Sequence, residues 1–185
     1  MQRHPYEFVP ASKRTRVWLA FAAAALVVMT VSNLTGAPMI TTAAPQGIIS
    51  FELAGSAAEA ATILASWNLS ARLSAAFGLG LDFLFPILYA AAIGGACVWA
   101  AGVFRAVWPG LAVGGVLLAW EMWLAALFDY FENITLTMIL FGGTLPGLPE
   151  IARALALLKF CLIGVALAYV ALGVLIQAVR LLMRR

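Results

Sequence analysis

Charge is scarce in this sequence. Eight Asp/Glu and eleven Lys/Arg make 10% of its 185 residues, where a soluble domain carries about 25%. Such a chain cannot cover a soluble globule with polar surface, and it is not a disordered one. Histidine is nearly absent. His4 is the single one and sits in the N-terminal arm, which excludes axial haem ligation and Ser/His/Asp chemistry among the apolar segments. There are two cysteines, Cys97 and Cys161, too few for a disulfide scaffold or a metal cage. They fall at different expected depths, so no disulfide between them is expected. Neither a P-loop nor a dinucleotide-binding glycine fingerprint is present. No cofactor and no metal is expected.

What the chain does have is apolar surface. Sixty-four per cent of residues are hydrophobic and the mean hydropathy is +1.02. The expected class is an all-α integral membrane four-helix bundle in a single transmembrane domain, residues 1–185, surrounded by a lipid bilayer. The net charge of +3 does not point to nucleic acid, because the basic residues collect at the chain ends. Arg3, Lys13, Arg14 and Arg16 precede the first apolar run, and Arg180, Arg184 and Arg185 follow the last. That asymmetry is the positive-inside pattern. It predicts cytoplasmic N- and C-termini.

Expected helices cover about 17–35, 73–104, 108–133 and 151–182, each near the roughly 20 residues a span requires. The first has the flank of a signal peptide, but Pro38 and Pro45 directly follow the small residues at which cleavage would fall. Ser56 and Glu59 form a capping box, and a short interfacial helix is expected over 57–68, with Trp67 at headgroup level. Residues 134–149 are apolar but broken by Gly142, Gly143, Pro146, Gly147 and Pro149. They either continue the third helix or form a re-entrant cap. Gly110 with Gly114, and Gly164 with Ala168, have the small-xxx-small spacing of closely packed membrane helices. Trp18, Trp99 and Trp108 mark an inner aromatic belt, whereas Trp120 and Trp123 are expected in the core.

The ionisable residues inside these segments are the most informative feature. Each costs about 2.5–3.5 kcal/mol near the bilayer centre. Counting about 1.5 Å per helical residue brings Asp82, Glu121 and Lys159 to one level, below an outer mouth ringed by Arg72, Glu150 and Arg153. Asp129 and Asn133 are i,i+4 and share a helix face. Glu121 and Glu132 return to nearly the same angle. The candidate ligand- or proton-binding residues are therefore Asp82, Glu121, Asp129, Glu132, Asn133 and Lys159, with no catalytic residue assigned. Four acids against one lysine leave an excess that favours a protonated carboxyl. Alternatively the group is a structural ion-pair network, with the outer acids meeting Arg72 or Arg153. Pro86, one turn after Asp82, frees a helix carbonyl near the same level or merely kinks the helix.

The run Leu81-Asp82-Phe83-Leu84-Phe85 with Tyr89, the run Leu127-Phe128-Asp129-Tyr130-Phe131-Glu132-Asn133, and Phe51-Glu52-Leu53-Ala54-Gly55-Ser56 resemble small four-helix bacterial membrane proteins of no assigned activity. The resemblance spans about residues 50–175 and implies a four-helix bundle with an acidic outer-side site. Three functions follow as expectations. One is a non-enzymatic accessory or interaction subunit of a membrane complex, or a binder of a lipid-like ligand, partnered by another membrane protein or by further copies of itself. Another is a subunit of a proton- or cation-coupled transporter. The third is an intramembrane acid/base enzyme, favoured by a tunnel reaching the acids.

Overall fold

The computed structural model describes residues 4–143 and 145–183. Arg3, Arg184 and Arg185 of the basic ends lie outside the described residues, as does Thr144 of the glycine-rich segment. Among the described residues the secondary structure is helical and no strand occurs. Seven α-helices follow one another: α1 Ala11–Gly36, α2 Ile48–Glu52, α3 Ala57–Ser66, α4 Leu69–Leu81, α5 Phe85–Arg105, α6 Pro109–Leu140 and α7 Leu148–Leu182. A 3₁₀ turn, Ala37–Met39, follows α1. Ala11–Met39, Phe85–Arg105, Pro109–Leu140 and Leu148–Leu182 are each long and apolar enough to cross a membrane, with mean hydropathies of 2.0, 1.9, 1.8 and 2.4. These four helices fit a membrane protein.

Local chemistry explains most helix ends. Ser56 accepts from the Glu59 amide at 3.2 Å, and the Glu59 carboxylate reaches back to the Gly55 amide at 2.6 Å. Two of the amides at the start of α3 that have no intrahelical partner are thus satisfied. Asn68 caps α4 through the Ala71 amide at 2.9 Å. Glycines with positive φ, Gly142 at 86° and Gly147 at 83°, bracket the connection from α6 to α7, a backbone region that side chains with a Cβ disfavour.

The structure differs from the expected layout in three places. The helix expected over 73–104 is two helices, α4 and α5, separated by Asp82–Leu84. Pro86 is the cause. Lacking an amide proton, it cannot bond the carbonyl of Asp82 one turn earlier, so continuous helix is lost there. The third helix runs on to Leu140 rather than ending near 133, which resolves the first half of the 134–149 segment as helix. Trp67 is not at an exposed interface. It is 3% exposed, donates its indole N–H to the Met39 carbonyl at 2.9 Å, and meets Phe51 edge-on with ring centroids 5.3 Å apart.

The chain forms two compact units. The first comprises Met1–Ala25, Ile87–Ala126 and Phe160–Arg185. Within it the Tyr6 hydroxyl donates to the Ala90 carbonyl and the Trp18 indole to that of Ala92, both at 2.8 Å. Ala100, Ala101, Phe104 and Ala112 form a small core with Tyr169 and Ile176. Close helix approach occurs at Gly115, against the Cys97 carbonyl and Tyr169, and at Gly173, against Ala100. The expected contacts at Gly110, Gly114 and Gly164 are not made among the described residues, since a Cβ at any of them would meet nothing within 4 Å there. Trp120 is 52% exposed and Trp123 half-buried, so Trp120 is not a core residue. Cys97 and Cys161 are free thiols.

The second unit comprises Leu26–Pro86 and Leu127–Lys159. Its core gathers Met39, Phe51, Ile63, Trp67, Leu79 and Leu136, with alanines between them. This unit holds the polar cluster.

Candidate functional site

Lys159 is 5% exposed and stands at the centre of the cluster. Its Nζ lies 2.7 Å from Glu132 Oε2, 3.0 Å from Asp129 Oδ1 and 3.8 Å from Glu52 Oε2. All three carboxyls are buried, at 0%, 2% and 6% exposure respectively. The four residues come from three elements. Asp129 and Glu132 are i,i+3 neighbours on α6, Lys159 comes from α7, and Glu52 is the last residue of the short helix α2. Glu132 and Glu52 thus bring carboxylate oxygens to the same ammonium, at 2.7 and 3.8 Å. Two carboxylates repel each other, and neither can donate. A proton on either carboxyl lowers that repulsion.

Glu52 lies outside the membrane-length helices. Burial, with Asp129 adding negative charge and Lys159 opposing, holds its carboxyl above the ordinary range. If all three acids were ionised beside one ammonium, the group would carry two uncompensated charges in a region of low polarity. Retaining one proton halves that excess.

A second arrangement adjoins the helix break. The Asp82 carbonyl, which Pro86 cannot engage, accepts from Asn133 Nδ2 at 3.0 Å. The next carbonyl, that of Phe83, accepts from the Tyr130 hydroxyl at 3.0 Å. Side chains of α6 thus satisfy two carbonyls exposed by the break, whose amides stay bonded in tight turns, Phe83 to Gly80 and Leu84 to Leu81. Asp82 itself is half-buried. Burial first, then the negative charge of Asp129, pushes its carboxyl up to about 7, with Lys159 opposing.

The expected residues are therefore divided. Asp129, Glu132 and Lys159 form one ion-pair group, with Asp82 and Asn133 beside it at the helix break. Glu121 belongs to the first unit. Among the described residues the outer arginines form no ion pair with the acids of the cluster. Arg72 donates to the carbonyls of Leu64, at 2.8 Å, and Trp67, at 3.3 Å, closing the end of α3, while the Arg153 side chain lies over Gly55.

Sequence reasoning passed over Glu52. Its signal was a lone acid between Phe51 and Leu53, on a segment too short to read as a membrane helix. Among the described residues no group of three His, Cys, Asp or Glu side chains is arranged to hold a metal ion. An open groove of about 450 Å³ on the same unit is lined by Ala43, Ser50, Leu53, Ala58, Thr62 and Ile63, among others. It does not include the carboxyls of the cluster. No protein-family model, curated protein or solved structure matches the chain.

Proposed function

We propose that this chain is a multi-pass protein of a bacterial inner membrane that binds and releases a proton at Glu52 and Glu132, as a subunit of a proton-coupled transport system. The observation that carries this reading is that two buried carboxyls, Glu52 and Glu132, meet the ammonium of a single lysine. Such a pair changes charge by one proton while Lys159 and Asp129 keep the surroundings nearly neutral. Lys13, Arg14 and Arg16 before the apolar part of α1, and Arg180 near the end of α7, support cytoplasmic termini through the positive-inside rule.

The test is proton flux into liposomes carrying the purified protein. Glu132→Gln keeps the shape of the side chain but removes its titration. It is expected to lower flux at least tenfold, a loss of about 1.4 kcal/mol or more, while the protein keeps its helical content and elution volume. Unchanged flux in a folded Glu132→Gln protein overturns the proposal.

A second reading, as an interaction subunit, is supported by the α6 face bearing Gly110 and Gly114. A Cβ at either would meet nothing in the chain, and small residues of this spacing admit a neighbouring helix in a bilayer. On this reading blue-native electrophoresis in a mild detergent shows a higher-mass complex. A free monomer alone counts against it. The two readings are compatible, since a chain of this size needs partners or copies to enclose a path.

A further inference from the structure

In the first unit, α6 carries an ionisable side chain on the face it turns away from the chain. Gly110, Gly114, Leu117, Glu121 and Leu124 recur there at spacings of four, three, four and three residues, the repeat by which one helix meets another along a seam. None of these positions is buried. Leu117 and Leu124 are 52% and 44% exposed, and a Cβ at Gly110 or Gly114 would meet nothing within 4 Å. The adjacent Gly115 has the opposite setting, inward against the Cys97 carbonyl and Tyr169. Glu121, in the middle of the seam, makes no hydrogen bond or ion pair among the described residues. It stands about 18 Å from the start of α6 and about 28 Å from its end. A hydrocarbon layer of about 30 Å fitted anywhere along the helix therefore contains it. A carboxyl turned toward acyl chains is disfavoured there in either protonation state, because lipid tails offer it no partner.

From this seam we propose that α6 is the contact between two copies of the chain, with the protonated Glu121 of each hydrogen-bonded to Glu121 of the other. This pairing rests on the reading of the chain as an interaction subunit and supplies its partner. Chains of one sequence insert in one orientation. Two copies related by a two-fold axis along the membrane normal therefore set their α6 helices parallel, with every seam position opposite itself. Gly110 and Gly114 then face their own copies, and the backbones approach closely. Glu121 faces Glu121. A protonated carboxyl both donates and accepts, so two of them satisfy each other reciprocally. Any other partner needs a matching polar group at the same depth beside a matching small-residue surface. A single polar residue in an apolar seam also fixes register and the number of helices that join.

The experiment is energy transfer between donor- and acceptor-labelled full-length chains in liposomes, followed as added lipid dilutes the protein. The unaltered chain is expected to trace a monomer–dimer curve. Gly114→Leu, which the open space beside the glycine accommodates in the single chain, should raise the dissociation constant about tenfold or more. Glu121→Leu should raise it about tenfold, the scale of one polar contact between membrane helices. Glu121→Gln should keep most of the association, since an amide also donates and accepts. Leu117→Cys, in a Cys161→Ser background that removes the exposed native thiol, should give a disulfide-linked dimer on oxidation. A monomer at every dilution, no cross-link at Leu117→Cys, or unaltered association of folded Gly114→Leu and Glu121→Leu proteins overturns the proposal. If the purified chain is monomeric while blue-native electrophoresis of membranes shows a higher-mass complex, the second copy is overturned as partner and the interaction-subunit reading stands. If both show only monomer, both fall.

Discussion

Lys159→Met is expected to destabilise the protein by about 3–5 kcal/mol, the usual cost of removing one partner from a buried ion pair. For a chain of this length that lowers the unfolding midpoint by roughly 6–20 °C. Methionine fills much of the volume of the lysine stem, so the loss is electrostatic rather than a cavity. Asp129, Glu132 and Glu52 lose the single ammonium they share. The acids must then take up further protons or stay charged in an apolar surrounding, and both alternatives weaken the fold more as pH rises. Adding Asp129→Asn and Glu132→Gln to Lys159→Met should restore most of the stability, because the uncompensated charges are then gone. Such recovery would be strongly non-additive, as expected for residues of one network. The measurement is thermal unfolding in detergent of the single variant and the triple variant. Equal midpoints for Lys159→Met and the unaltered protein would show that the cluster holds no ionised acid against Lys159.

Trp67→Ala should be of similar size, about 3–5 kcal/mol, as for other truncations of a buried aromatic. The indole fills the space between the 3₁₀ turn and α2, and its N–H is the partner of the Met39 carbonyl. Trp67→Phe separates these contributions. It retains most of the apolar packing against Phe51 and costs about 1–3 kcal/mol for the unsatisfied carbonyl. The same residue bears on the polar cluster. Phe51, which Trp67 meets edge-on, directly precedes Glu52, so loosening the ring pair also loosens the carboxyl that faces Glu132. Trp67→Ala is therefore expected to reduce proton flux in the liposome assay as well as lowering the unfolding midpoint. A folded Trp67→Ala protein with full flux would show that α2 positions Glu52 without Trp67.

Much of this was legible in the residues themselves. The apolar runs and their basic flanks announce membrane-length helices, because length and hydropathy are properties of a segment alone. The capping box at Ser56 and Glu59 was legible for the same reason, since its two hydrogen bonds close within one turn. Pro86 also announced itself. A missing amide proton must leave a carbonyl without its helical partner wherever the helix lies.

What only the tertiary structure decided was which side chains meet. Depth counted along each expected helix considered only membrane-length segments, and so passed over Glu52 on the short helix α2. The small-residue motif at Gly110 and Gly114 failed as a guide to contacts within the chain, since spacing states only that a helix can approach closely. Gly115 and Gly173 are where that approach occurs. The scarce charge of the sequence thus determined that some acids must be buried and that one lysine could not neutralise them all. Packing determined that Glu52 and Glu132 share that lysine, because only the fold brings a carboxyl from a five-residue helix against one from the middle of a membrane-length helix.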